Sequence, residues 1–270
     1  MIYVYTAILS GFDNLRTPLC APEPGVRFIC FTDCPVLPRV EPWEFRPVHR
    51  IVDPACDVIG AEYDTLDDAR TSRLPKILPH LVLPEDCDYS IWHDGNFQMK
   101  ASPSETISKL LRTADWAAHK HPGRDCIYRE AEILLKEKIG TAALVERQIE
   151  RCRNVYGHPE GFGLWANGFI ARRHNAATAA LNERWWDLFQ SGCERDQISF
   201  PVALRQSGVS IETIRHTDIY GSEFVKFNWH AAWKDREDNP TRWPERERIA
   251  ARVRKLQQIA GPGGYEWKVY

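Results

Sequence analysis

The sequence predicts a three-layer α/β/α domain around a mixed, mostly parallel central sheet. Three observations lead there. β-rich runs alternate with helical patterns through the first two thirds of the chain, the order that builds a sheet with helices packed on it. Asp88-Tyr89-Ser90-Ile91-Trp92 reads as a buried strand that stops abruptly at the polar His93-Asp94-Gly95-Asn96. The 270 residues, 43% hydrophobic and 11% aromatic, are enough for a sizeable core and for repaying the entropy of ordering the chain.

Each element has its own signal. Ile2 to Leu9 is a β-rich run, followed by the loop Ser10-Gly11-Phe12-Asp13-Asn14. Val26 to Phe31 is a second short strand ending at Thr32-Asp33, and the Pro-rich stretch from Cys34 to Pro47 is a connection with room for one edge strand. Asp68 to Leu81 has a helical pattern that Pro75 and Pro79 must kink or interrupt. Ser102-Pro103-Ser104-Glu105 starts a helix, with Ser at the cap, Pro in the first position and Glu in the third.

Trp116 to His119 is a further strand, and Ile127 to Tyr156 is helical with a break near Gly140. Gly163 to Arg172 is a strand or a pair of strands. Ala176 to Gln190 is a helix closed by Gly192, another helix begins near Glu194, and Ser210 to Arg215 is a late strand. The last stretch differs in composition. Pro244 to Ala260 forms an amphipathic helix with Ile249, Val253, Leu256 and Ala260 on one face. The expected organisation is therefore a domain over residues 1–228 and an extension over 229–270 whose helix packs on it, with peripheral membrane contact as the second reading.

Composition excludes several classes. The 35 basic and 37 acidic residues nearly cancel, which argues against a nucleic-acid surface. No stretch approaches the ~20 apolar residues of a spanning helix, and the first residues read as a strand rather than a signal peptide. The 8 cysteines form no Cys-x-x-Cys pair and read as reduced, mostly buried thiols, which fits a cytoplasmic location. Gly161-x-Gly163-x-x-Ala166 imitates a dinucleotide fingerprint but follows a polar loop and opens no helix, so it is rejected.

The chemistry-bearing positions begin at Asp94-Gly95-Asn96. Ligands of open α/β sheets bind beyond the carboxyl ends of strands. A carboxylate and a short amide there can offer oxygens to a hard cation, and Gly95 permits close approach. An ordinary Asp-Gly turn is the competing reading. Arg73 and Lys76 lie one helical turn apart, a spacing that suits a diphosphate or merely a solvated face. Asp196 is either a catalytic carboxylate or a first-turn helix acid. His119 and His121 are a His-x-His pair or plain loop histidines, and Glu130 is a possible second acid. Trp165, Asn167 and Gly168 either line a ligand pocket, with a flat apolar face and an amide that donates and accepts, or form a tight strand with a core Trp.

Taken in order, these stretches resemble a family. The run from Arg73 through Leu83-Pro84, then Asp88 to Asn96, resembles nucleotide-sugar-dependent glycosyltransferases of the GT-A fold, a Rossmann-like architecture. Within these it is most similar to the glycosyltransferase-like family that includes plant seed-coat mucilage and turgor-regulation proteins and bacterial polysaccharide-locus proteins. Tyr5 to Ile8 with Gly11 to Asp13, Phe31 to Asp33, His119 to Pro122, Cys126 to Ala131 and Arg195 to Phe200 extend the resemblance from about residue 2 to residue 206.

The resemblance implies transfer of a sugar from a nucleotide diphosphate, UDP-linked, to a glycan or lipid-linked glycan acceptor in polysaccharide biosynthesis. It implies that Thr6, Ala7 and Asp33 hold the nucleoside, with Arg73 and Lys76 on the diphosphate. Asp94 and Asn96 take the Asp-x-Asp positions that bind Mn²⁺ or Mg²⁺, with His230 as a late third ligand. Asn96 replaces the second carboxylate, which weakens the ligand set or leaves its role to Arg73 and Lys76. Asp196 and Gln197 face the sugar or acceptor, together with His119, His121, Trp165, Asn167 and Gly168. The alternatives are a nucleotidyltransferase and a non-catalytic nucleotide-sugar or glycan-binding domain.

Overall fold

The structure, a computed structural model, describes residues 1–9, 12–33, 40–48, 68–228 and 230. The helix expected over Pro244 to Ala260, and with it all but His230 of the extension, lies outside the described residues.

Among the described residues seven strands form one sheet: β1 (Ile2–Ile8), β2 (Val26–Thr32), β3 (Trp43–Pro47), β4 (Tyr89–His93), β6 (Trp116–Lys120), β7 (Trp165–Arg173) and β8 (Ile211–Ile214), in the order β3-β2-β1-β4-β7-β6-β8. β1 pairs in parallel with β2 and β4, β2 with β3, and β6 with β8. β7 pairs antiparallel with both β4 and β6, so it alone runs against the other six. The Pro-rich stretch does supply the edge strand, β3, where a proline at the strand end costs no ladder bond to a further neighbour. β5 (Phe97–Met99) and β9 (Val225–Phe227) make a separate antiparallel ribbon that the sequence does not announce, since three residues carry too little periodicity.

The helices are α1 (Asp68–Ile77), α2 (Pro79–Val82), α3 (Pro103–Leu110), α4 (Ile127–Lys136), α5 (Ala142–Asn154), α6 (Ala176–Gln190) and α7 (Asp196–Ser207). Pro79 separates α1 from α2, as its missing N–H requires. The cap of α3 is the expected one, with the Ser102 hydroxyl accepting from Glu105 N at 3.1 Å and Pro103 in the first turn. Asn175 and Thr178 close a reciprocal capping box on α6, and Gly208 ends α7 at φ 69°.

Two apolar layers flank the sheet. On one face Tyr3, Tyr5, Trp92, Trp116 and Ile170 pack against Ile77 of α1, Ile127 of α4, Trp185 of α6 and Phe200 of α7. On the other, Val4, Ile91, Phe169 and Ala171 pack against Ile107 of α3 and the ribbon residues Phe97 and Val225. Among the described residues that second layer consists of one helix and the ribbon. Among the described residues six cysteines are free and five of them are buried, as their spacing suggests. No helix of the described residues is long and apolar enough to cross a membrane.

Candidate active site

The site assembles at the carboxyl end of β4. Trp92 and Asp94 are two residues apart and project to one side, where the Trp92 indole N–H donates to Asp94 Oδ1 at 2.9 Å. Lys76, in the last turn of α1, places Nζ 3.4 Å from the same oxygen and 2.6 Å from Asp196 Oδ2. Its ammonium also lies 5.8 Å from the Trp92 ring centre. Arg73, one turn earlier, brings Nε to 3.8 Å from Asp196 Oδ2. The Arg73/Lys76 spacing thus does produce one cationic face, but that face turns to a carboxylate of the first turn of α7.

Burial sets the electrostatics. The side chain of Lys76 is 2% exposed and that of Asp196 7%, whereas Asp94 is 35% and Arg73 33% exposed. Burial works against the Asp196 carboxylate, yet Lys76, Arg73 and Arg195 outweigh it and hold its pKa below the usual value. Asp196 is therefore ionised at neutral pH and intrinsically a weak base.

The turn after β4 is held from several directions. Asp94 N donates to Gly168 O at 2.9 Å, and Phe97 N donates to Asp94 O at 2.9 Å. Any Cβ on Gly95 would lie 2.9 Å from Ile8 Cγ1 and 3.2 Å from the Asp13 carboxylate, so only glycine fits against β1 and its loop. A Cβ on Gly168 would lie 3.0 Å from Phe97 and 3.3 Å from Asp94 Oδ2. Asn96 is buried, and its carbonyl accepts from Asn228 N at 2.9 Å. His230 Nδ1 is 3.0 Å from Asp13 Oδ2, which brings the late histidine to the residue packed on Gly95. Among the described residues no three His, Cys, Asp or Glu side chains converge as a metal-binding group.

The other expected residues divide. Thr6 is fully buried beside the end of β1 with no partner for its hydroxyl; Ala7 is half-buried there and Asp33 follows β2. Asn167 is 1% exposed with neither amide atom hydrogen-bonded, and Gln197 Oε1 is likewise unpartnered. Orphaned polar groups of this kind are costly in a finished interior.

Two expectations need correction. Trp165 does not present a flat face for a sugar. Its indole is packed between Phe162, Phe200 and Gly163, and its N–H donates to Thr213 Oγ1 at 3.1 Å. His119 and His121 do not form a ligand pair, because the strand ends at Lys120 and different partners take the two rings. His119 is fully buried between Phe169 and Phe224, 2.9 Å from Ser222 Oγ, and burial lowers its pKa. His121 Nδ1 accepts from the Gly123 and Arg124 amides, and burial, aided by Arg124, lowers its pKa to about 4.

Glu130, the possible second acid, is buried and held between Arg124 and Arg195, with Arg195 Nε 3.0 Å from Oε1. Sequence reading passed over Trp92, Asp13 and Arg195 as site residues. For Trp92 the signal was present in its two-residue spacing from Asp94. For Asp13 and Arg195 nothing local to the sequence predicts the contact.

The sheet order, with one reversed strand beside the strand that leads into Asp94, is a mixed, mostly parallel α/β architecture. The model of the family described as TOD1/MUCI70, glycosyltransferase-like domain, matches residues 56–220, more than half of the chain. The chain belongs to that family. Among solved structures, mouse xyloside xylosyltransferase 1 in its apo form aligns at 13% identity and TM-score 0.47, covering 79% of this chain and 84% of that one. The apo WbbM bifunctional glycosyltransferase aligns at 10% identity and TM-score 0.45, covering 79% of this chain and 38% of its own. No curated protein matches the chain.

Proposed function

We propose that the protein transfers a sugar from a nucleotide diphosphate donor, UDP-linked, to a glycan or lipid-linked glycan. The observation that supports this reading is the convergence of Asp94, Lys76 and Asp196 beyond the carboxyl end of β4. Breaking a sugar–phosphate bond leaves charge on the departing diphosphate, and a preorganised cation lowers that barrier. Lys76 is closer to Asp196 than to Asp94, so it keeps the first contact and exchanges the second for a phosphate oxygen. Arg73, partly exposed, adds a second cation.

Asp196, ionised and fixed on Lys76, faces the reacting sugar as an electrostatic partner in preference to a strong base. Asn167 and Gln197 supply hydrogen-bonding groups for sugar hydroxyls, since both amide atoms of Asn167 and the Oε1 of Gln197 lack partners in the protein. Thr6, Ala7 and Asp33 remain the proposed nucleoside side. The donor set does not fit Mn²⁺ or Mg²⁺ as arranged. Asp94 Oδ1 is taken by Trp92 and Lys76, Asn96 is buried, and His230 pairs with Asp13, so no step is routed through a metal. The proposed setting is cytoplasmic polysaccharide assembly, with the acceptor free or carried at the membrane face.

The binding-only alternative draws on one observation, the engagement of both carboxylates by a single lysine. Calorimetric titration with UDP, with and without Mn²⁺, tests the donor site, and Asp94→Ala is expected to weaken binding. Turnover of a nucleotide-sugar panel, with Asp196→Asn as control, tests the reaction. Absence of binding by any nucleotide overturns the proposal; binding without turnover favours the alternative.

A further inference from the structure

Arg172 is the largest charged side chain buried completely in the interior, and its guanidinium meets no carboxylate among the described residues. It sits on β7 with its guanidinium carbon 4.2 Å from the centre of the Trp116 ring. One Nη donates to Asn182 Oδ1 at 3.1 Å and the other to the backbone carbonyl of Lys76 at 2.9 Å. Nε has no partner. A buried unpaired cation is expensive, and a hydrophobic residue of similar volume would ordinarily be the more stable choice.

The break between α1 and α2 accounts for it. The last carbonyls of a helix lack intrahelical donors and carry the negative end of its dipole. Leu74 O is satisfied by Leu78 N at 2.8 Å, but α1 ends at Ile77 and the chain restarts as a new helix at Pro79, which leaves the Lys76 carbonyl without a donor from its own ladder. A guanidinium is the donor best matched to such a carbonyl, because it is charged and directional. Its anchor is the sheet itself, through Trp116 and through Asn182 on α6. The one residue whose carbonyl Arg172 holds is the residue whose ammonium bridges Asp94 and Asp196.

We infer that Arg172 is a positioning residue that, by capping the Lys76 carbonyl, fixes the end of α1 so that the Lys76 ammonium stays between the two carboxylates. The inference rests on the site reading above for its catalytic consequence, but not for its structural one. Reductive methylation with labelled formaldehyde, read by peptide mass spectrometry on the whole chain, separates the two. Lys76 in the wild type is expected to be labelled at least about tenfold less than Lys109, which is 56% exposed.

Arg172→Met is expected to raise Lys76 labelling severalfold. Asn182→Ala, which removes the other guanidinium partner but leaves the carbonyl bond, is expected to lower the Tm without unmasking Lys76. Arg172→Lys, with a charge retained over Trp116, gives intermediate labelling. In donor turnover Arg172→Met lowers kcat by up to ~10²-fold, the scale for a reacting group misplaced by about 1 Å, and Arg172→Lys restores part of it. Lys76 remaining masked in Arg172→Met overturns the inference, as does equal unmasking by Asn182→Ala. Should the Met variant not fold, absence of unmasking in Arg172→Lys overturns it. If the wild type turns over no donor, the functional proposal fails while the labelling result still decides this one.

Discussion

Two charge clusters meet at the start of α7, and they are inverses. At Asp196 one buried cation, Lys76, lies between two carboxylates. One residue earlier, Arg195 helps Arg124 to enclose one buried carboxylate, Glu130. The difference lies in what is left over. Both Glu130 oxygens are engaged by guanidinium groups, and the cluster ties α4 to the start of α7. Around Lys76, by contrast, Asp94 is partly open and Gln197 Oε1, next to Asp196, has no partner, and neither has the amide of Asn167 beside Gly168. A saturated cluster stabilises a fold, whereas an unsaturated one has capacity for a ligand.

The comparison is broken most severely at Lys76. Lys76→Met strands Asp196 in the interior and is expected to cost about 3–5 kcal/mol of stability in chemical denaturation. Donor turnover should fall by ~10²-fold or more. A variant that keeps near wild-type turnover would remove Lys76 from the site. Next come the two carboxylates. Asp196→Asn should reduce kcat by roughly 10²-fold, while Glu130→Gln costs about 1–3 kcal/mol of stability and leaves kcat within about threefold. Equal losses of turnover in the two variants would mean that the clusters are one functional unit.

Acid sharpens the contrast. His121 in the Glu130 cluster and His158 near it in the fold both have pKa values lowered to about 4 by burial. Because they stay neutral in the folded chain and protonate when unfolded, their contribution is full above the unfolded value of about 6.5 and declines as the pH falls toward 4. At pH 5 the expected loss is on the order of 2 kcal/mol for each, measured as a falling denaturation midpoint. Asp196, with its pKa depressed, contributes above the ordinary carboxylate value and loses that contribution only as the pH falls below it. The Lys76 cluster should therefore outlast the Glu130 side on acidification. The smallest effect is that of Asn167→Ala. It is expected to change stability by no more than about 0.5 kcal/mol, yet to raise the donor KM severalfold, because the amide has no partner until a ligand arrives.

Much of the frame was legible because it is written in local signals. The buried run ending at Asp94, the Ser102 cap, the proline break after Ile77 and the spacing of Arg73 and Lys76 all depend on residues close in sequence. What was not legible depends on direction and distance. Nothing near Lys76 shows that its ammonium meets Asp196, since that follows from the angle at which α1 leaves the sheet. β6 ends at Lys120, so His121 lies beyond the strand and the simple alternation on which a His-x-His pair depends stops before it. Trp165 has the composition of a binding platform, but its ring is claimed by Phe200 and Gly163, contacts no spacing rule anticipates.

The reversed strand, β7, has a consequence for diversification. Its neighbours deliver their last residues to the rim where Asp94 sits, but β7 delivers its first, Ala166 to Gly168. The excursion that precedes it, through α4 and α5, therefore empties directly onto that rim. Lengthening or re-sculpting this excursion can reshape what the opening accepts while every rung of the ladder behind it stays in place.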